Sequence, residues 1–152
     1  MYLVDANVLV YATDAGARQH DAARRWLDEQ LAREPRYVGL PWPSVLAFLR
    51  LVTNPRMYSP PTSITDAWQR AEGWLSRPAA WMPAPGPRHR HLLVEIIGEI
   101  QPSGNLVADA HLAALAGEHG LTVASTDSDF TKFRHVSWLN PVTGEERRAS
   151  PA

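Results

Sequence analysis

Short apolar runs alternating with helical periodicity constrain this chain more than any other feature of its sequence. Tyr2-Leu-Val4, Tyr37-Val-Gly-Leu40, Trp81-Met82, Leu121-Thr-Val-Ala124 and Val136-Ser-Trp-Leu139 are apolar and too short for helices, and read as buried strands. Helical patterns stand between them. One starts after Asp5 and runs to Ala12, and a second from His20 to about Arg33 shows Ala23, Trp26, Leu27 and Leu31 on one face. Pro41-Trp-Pro43 opens a third, which Asn54-Pro55 stops. Ser63-Ile-Thr-Asp66 is a capping box with Asp in the Glu/Gln slot, ahead of Ala67, Trp68, Ala71, Trp74 and Leu75. Leu92, Leu93, Ile96, Ile97 and Ile100 mark a fifth helix, ended by Pro102-Ser-Gly104, and a sixth from Asn105 closes at Gly120. Strands so spaced by helices predict an α/β three-layer α/β/α sandwich with a mainly parallel central sheet. Residues 1–141 read as one domain, and the polar segment 142–152 as a frayed tail.

Composition narrows the function classes. The 152 residues are 45% hydrophobic and 20% charged with a formal net charge of −1, which excludes a disordered chain and argues against a permanently nucleic-acid-coated one. No apolar run is long enough to span a bilayer, and no basic, cleavable leader precedes Asp5, so a cytoplasmic protein without a membrane partner is expected. Cysteine is absent, which leaves only oxygen and imidazole to hold a metal.

One charge stands out against that background. Between Leu106 and Ala116 every residue but Asp109 and His111 is apolar, so the helix reads as buried on nearly all sides. An unpaired carboxylate there costs several kcal/mol or shifts its pKa. Asp5 ends the first strand, and Asp127 with Asp129 follow the fourth. Each has an ordinary reading: Asp5 as a helix N-cap, Ser125-Thr-Asp-Ser-Asp129 as an Asx-turn, Asp109 as half of a buried pair. Together they place carboxylates beyond the carboxyl ends of parallel strands, where α/β sheets bind ligands. Oxygen-only donors suit Mg²⁺ or Mn²⁺, and the matching chemistry is metal-assisted hydrolysis of a phosphodiester.

Three segments carry a family resemblance. Leu3-Val-Asp-Ala-Asn-Val-Leu-Val-Tyr-Ala12, Gly104-Asn-Leu-Val-Ala-Asp-Ala-His-Leu-Ala-Ala114 and Ser125-Thr-Asp-Ser-Asp-Phe130, in that order, resemble the PIN-domain ribonucleases, specifically the VapC-type toxins of bacterial toxin–antitoxin pairs. Pro41-Trp-Pro43, Phe48 to Arg56 and Trp138-Leu-Asn-Pro141 resemble the branch abundant in mycobacteria. The resemblance covers Met1 to about Pro141. It implies a homodimer, Mg²⁺ or Mn²⁺ dependence, endonucleolytic cleavage of RNA with tRNA among the candidate substrates, and a cognate antitoxin that blocks the site. By position it makes Asp5, Asp109 and Asp127 catalytic metal ligands and Asp129 a helper; beside them Asn7, two residues past Asp5, reads as a positioning residue or equally as a helix cap, and Thr126 as a positioning residue. One departure matters: the family's usual second acid, a Glu, falls at Ala47.

The rest of the chain adds weaker expectations. Arg50, Arg88 and Arg90 are candidate RNA or antitoxin contacts, against a bland reading as solvated charges. Trp68, Trp74 and Trp81 are candidates for a dimer or antitoxin groove, with core packing the default for the first two. His111 points away from Asp109. An aspartyl phosphatase of the haloacid-dehalogenase type needs a second Asp where Asn7 stands, and a receiver-type switch needs a Lys placed elsewhere than the single Lys132. The rival from another class is a catalytically weak PIN domain that binds RNA or its antitoxin, and Ala47 is the feature favouring it.

Overall fold

A computed structural model describes residues 1–150 of the chain. The sheet has six strands: β1 (Tyr2–Val4), β2 (Val38–Gly39), β3 (Ala80–Trp81), β4 (Thr122–Ala124), β5 (Trp138–Leu139) and β6 (Glu146–Arg147), in spatial order β3-β2-β1-β4-β5-β6. The first five pair in parallel, and β6 closes the edge antiparallel to β5. Six helices connect them: α1 (Ala6–Thr13), α2 (His20–Leu31), α3 (Trp42–Val52), α4 (Ile64–Leu75), α5 (His89–Ile100) and α6 (Leu106–His119).

Strand order explains the layers. From β1 the chain steps outward to β2 and β3, then returns across β1 to β4. Right-handed crossovers put connections that travel in opposite directions on opposite faces of a sheet. The cores agree. Val4, Val38 and Leu40 pack with Leu9, Leu27, Phe48 and Ala67 of α1 to α4, while Leu3, Val123 and Trp138 pack with Ile96 and Leu112 to Ala116 of α5 and α6. Adjacent residues Leu3 and Val4 thus serve different cores, as the two-residue period of a strand requires. This is the three-layer α/β/α sandwich expected.

Local signals hold where their chemistry is explicit. Ser63 Oγ accepts from the Asp66 N–H at 3.1 Å, so the N-cap half of the expected capping box forms, while the shorter Asp66 side chain takes the Ser63 hydroxyl proton at 2.7 Å. Gly120 closes α6 in the left-handed region (φ 66°), its N–H bonded to the Ala116 carbonyl.

Two expectations are corrected. The helix carrying Asp109 is not buried all round: Val107 is 54% exposed, and the buried run begins only at Ala110. The segment after Pro141 is not frayed over its described length. Asn140 Oδ1 accepts from the N–H groups of Val142 and Thr143, Gly144 (φ 77°) bonds back to the Asn140 carbonyl, and the turn returns the chain as β6. Pro151 and Ala152 of the expected tail lie outside the described residues.

A Cβ added at Gly120 meets no atom within 4 Å, so the cost of Gly120→Ala is that of the left-handed backbone alone. We expect a loss of about 1 kcal/mol, seen as a melting temperature lower by roughly 2–4 °C in thermal denaturation.

Candidate functional site

The reversal of strand order falls between β1 and β4, and there the carboxyl ends of two neighbouring strands diverge into separate connections. Asp5 follows β1 directly, and its N–H continues the ladder to the Ala124 carbonyl at 3.0 Å. Ser125 follows β4 in the same way, and Asp127 lies two residues on. Helix α6 leads into β4, so its N-terminal turn, carrying Asp109, returns to this same edge. Three acids distant in sequence therefore meet at one crevice.

A buried polar stitch ties the two strand ends together. Ser125, fully buried, donates its hydroxyl to Asp5 Oδ2 at 2.8 Å and accepts from Asn7 Nδ2 at 2.9 Å and from the Asp127 N–H at 3.0 Å. That uses its one donor and both acceptor sites. Asn7 Nδ2 also donates to Asp5 Oδ2 at 2.9 Å, and Asn7 Oδ1 accepts from the Thr126 N–H at 3.2 Å. Asp5 Oδ1 accepts from the Ala6 N–H at 2.7 Å, so the expected N-cap is present alongside the site role. Asp127 Oδ1 accepts from the Asp129 N–H at 2.8 Å and caps the 3₁₀ turn Ser128–Lys132. Beneath, the indole N–H of Trp138 holds the Ser125 carbonyl at 3.0 Å.

Electrostatics set the acids apart. Burial pushes the Asp5 carboxyl up, opposed by its bonds from Ser125 and Ala6, while Asp127 adds a further upward push. Asp109 is pushed up to about 6, first by burial and then by Asp5, Asp127 and Asp129, with Lys132 opposing. Attraction to the α6 N terminus, about 0.3–1 kcal/mol, is too small to reverse this. The carboxylates repel one another with one nearby cation, Lys132, which bonds Asp129 at 2.7 Å. Among the described residues no three carboxylate or imidazole groups stand close enough to ligate a single ion as they are. The donor set is nonetheless all oxygen and short of positive charge, which fits a hard divalent cation.

The structure brings Asp5, Asn7, Thr126, Asp127, Asp129 and Asp109 to one edge but leaves the arginines elsewhere. Arg88 precedes α5, where its N–H bonds Glu118 Oε1 at 2.8 Å. Glu118 lies nine residues beyond Asp109, about 14 Å along α6. Arg90 follows on the first turn of α5, and Arg50 is exposed in the last turn of α3. His111 turns from the acids to bond His89 at 3.1 Å. Trp74 packs on Phe48, Trp81 is covered by Arg36 and edged by His119, and Trp68 is 39% exposed on α4.

Sequence reasoning missed Ser125. It also credited Thr126, whose contribution is its backbone N–H. The available signal was a serine placed directly after an apolar strand and two residues before an acid.

Two outcomes follow. Removing the Ser125 hydroxyl leaves buried partners unsatisfied, so Ser125→Ala should cost about 1–3 kcal/mol, measured by urea denaturation. Asp109 titrates at about 6 folded against an ordinary 3.8, so between those values the native state holds the proton the unfolded chain has lost. Its penalty on folding is full above pH 6 and absent below 3.8. Discounted for the solvent reaching this group, the penalty is about 1–2 kcal/mol. Asp109→Asn should therefore raise the melting temperature at pH 7.5 without divalent ions by roughly 2–6 °C, and the gain should vanish near pH 4.

Comparison with known proteins agrees with this geometry. The PIN-domain family profile matches residues 2–136. Ribonuclease VapC43 of Mycobacterium tuberculosis is 43% identical over 145 residues, covering 95% of this chain and 98% of that protein. Ribonuclease VapC37 of the same organism is 40% identical over 141 residues, with 93% and 97% covered. Among solved structures, VapBC2 from Rickettsia felis bound to a DNA fragment from their promoter superposes with a TM-score of 0.66 at 15% identity, covering 91% of this chain and 97% of that one. FitAcB from Neisseria gonorrhoeae gives 0.64 at 22% identity, with 93% and 98% covered. The profile, the full-length similarity to ribonucleases and the shared fold show that the chain belongs to the PIN-domain family, in its VapC ribonuclease branch.

Proposed function

We propose that this chain is the toxin of a toxin–antitoxin pair, a Mg²⁺- or Mn²⁺-dependent endoribonuclease of the cytoplasm, acting as a homodimer and neutralised by a cognate antitoxin. The observation that carries the reading is the meeting of Asp5, Asp109 and Asp127 at the strand reversal, where burial and then the acidic neighbours push the Asp109 carboxyl up to about 6. Asp5, Asp109 and Asp127 would hold the ion, with Asp129 assisting. When bound, such an ion supplies Lewis acidity and makes water a nucleophile near neutral pH.

The residues around it have separable roles. Asp5 is fixed by three donors and keeps its oxygens oriented through the reaction. Asp109 has no such donors among the described residues, and burial and its acidic neighbours push its carboxyl up to about 6, so its charge gains from a cation. Uncompensated, the cluster repels an RNA phosphodiester, which makes substrate entry depend on the ion. Asn7 and Ser125 hold the edge on which the acids stand. That the solved neighbours include VapBC2 as a complex supports the antitoxin partner.

A second reading, a weakly catalytic RNA- or antitoxin-binding module, is favoured by one feature: Ala47 stands on α3 where the family's Glu is usual, so fewer carboxylates share the ion.

Structured RNAs, tRNA included, should be cleaved with Mg²⁺ or Mn²⁺ and left intact with EDTA. Asp109→Asn should lower the cleavage rate by about 100-fold or more. Metal-independent cleavage, or cleavage that tolerates the Asn, would contradict the mechanism. Calorimetric titration with Mn²⁺ separates the two readings: no binding at low millimolar ion supports the binding module.

A further inference from the structure

The last strand reaches back under the loop that carries Asp127 and Asp129. Nη2 of Arg147 donates to the carbonyl oxygens of Phe133 at 2.6 Å and Val136 at 2.7 Å, and at 3.4 Å to that of Phe130. Nη1 donates to the carbonyls of Arg134 at 3.3 Å and Arg148 at 3.4 Å. Every acceptor is a backbone carbonyl. The guanidinium thus gathers carbonyls from within and just after the 3₁₀ turn Ser128–Lys132, where a cation is electrostatically favoured.

Register decides what this grip is connected to. Arg147 pairs with Trp138 across β5 and β6, and Trp138 is the residue whose indole N–H holds the Ser125 carbonyl. One strand pair therefore holds both ends of the acid-bearing loop, residue 125 through Trp138 and residues 130–136 through Arg147. Between the two grips, Asp127 and Ser128 are exposed. Phe130 and Phe133, 1% and 2% exposed, anchor the loop's far end by burial, and the N–H groups of Phe130, Phe133 and Val136 bond the carbonyls of Asp127, Phe130 and Phe133 within it. The directed bonds from Arg147 to its carbonyls add a restraint from outside the loop.

We infer that Arg147 is a positioning residue of the nuclease site: it sets the orientation of Asp127 and Asp129 through the backbone of residues 130–136. The consequence for metal and RNA rests on the function proposed above; the clamp itself does not. The β5–β6 hairpin then belongs to the working site, although Arg147 lies beyond the residues 2–136 matched by the family profile.

The test compares wild type with Arg147→Met and Arg147→Lys in the 152-residue chain, by amide hydrogen exchange, Mn²⁺ calorimetry and RNA cleavage. Arg147→Met should speed exchange of the amides from residue 127 to 136 by about tenfold while α1 to α4 keep wild-type rates. It should weaken Mn²⁺ binding by roughly 3- to 10-fold and lower kcat more than it raises KM. Arg147→Lys, which keeps the charge but not the planar fork, should fall between. Exchange that rises uniformly, or wild-type Mn²⁺ affinity in Arg147→Met, would overturn the inference. Should Arg147→Met not fold, Arg147→Lys decides: a local rise in exchange supports the clamp, and none contradicts it. A wild-type protein that neither binds Mn²⁺ nor cuts RNA defeats the nuclease reading instead, and the exchange data still judge the clamp.

Discussion

The bond between Ser125 and Asp5 joins the two strands at which the sheet reverses its order, and the site depends on it. Two parallel strands that diverge into opposite connections leave a crevice lined with unpaired polar groups. In this chain Ser125 and Asn7 satisfy that polarity by linking the β1 and β4 ends to each other. The link does two things at once: it ties together the strand ends where the sheet reverses its order and holds an ionisable carboxylate against the pull of burial. Trp138 beneath and Arg147 beyond extend the same support into the loop of Asp127 and Asp129.

What the stitch assembles is electrostatically unfavourable by itself. Burial raises both carboxyls; Asp5 has donors that oppose the rise, whereas Asp109 is pushed up to about 6 by burial and then by Asp5, Asp127 and Asp129. A fold selected for stability alone would replace such a group with an amide. Its presence in the first turn of a helix apolar from Leu112 to Gly117 makes sense once a divalent cation is part of the working protein. With Ala47 in place of a further acid, the ion has fewer charged oxygens to draw on, and Asp109 carries a larger share of the attraction.

Much of this was legible in the sequence, for identifiable reasons. Strand and helix periods differ enough that the α/β order emerged directly, and the aspartates stood out because each ended or interrupted an apolar run. Charge density along a sequence says nothing about which end of a helical hairpin it occupies; Arg88 precedes α5 and its N–H bonds Glu118 near the end of α6, away from the turn that carries Asp109. Ser125 was hidden by its composition, since Ser-Thr-Asp-Ser-Asp looks like any turn, and its hydroxyl joins the loop to Asp5 and Asn7, 120 and 118 residues away. The tail looked frayed because its polarity was read without its turn chemistry: Asn140, Pro141 and Gly144 mark a hairpin, and Arg147 is polar because it binds carbonyls.

The central claim is that Asp109 is held in a partly buried acidic cluster that Lys132 alone does not neutralise, and its titration tests this most directly. Carboxyl ¹³C chemical shifts of Asp109 followed from pH 3 to 8, with and without saturating Mg²⁺, report its pKa in place. The account predicts a value of about 6 without divalent ions. With Mg²⁺ the group should stay ionised below its ordinary value of 3.8. A metal-free titration near 3.8, or one at about 6 that Mg²⁺ does not move, would contradict it.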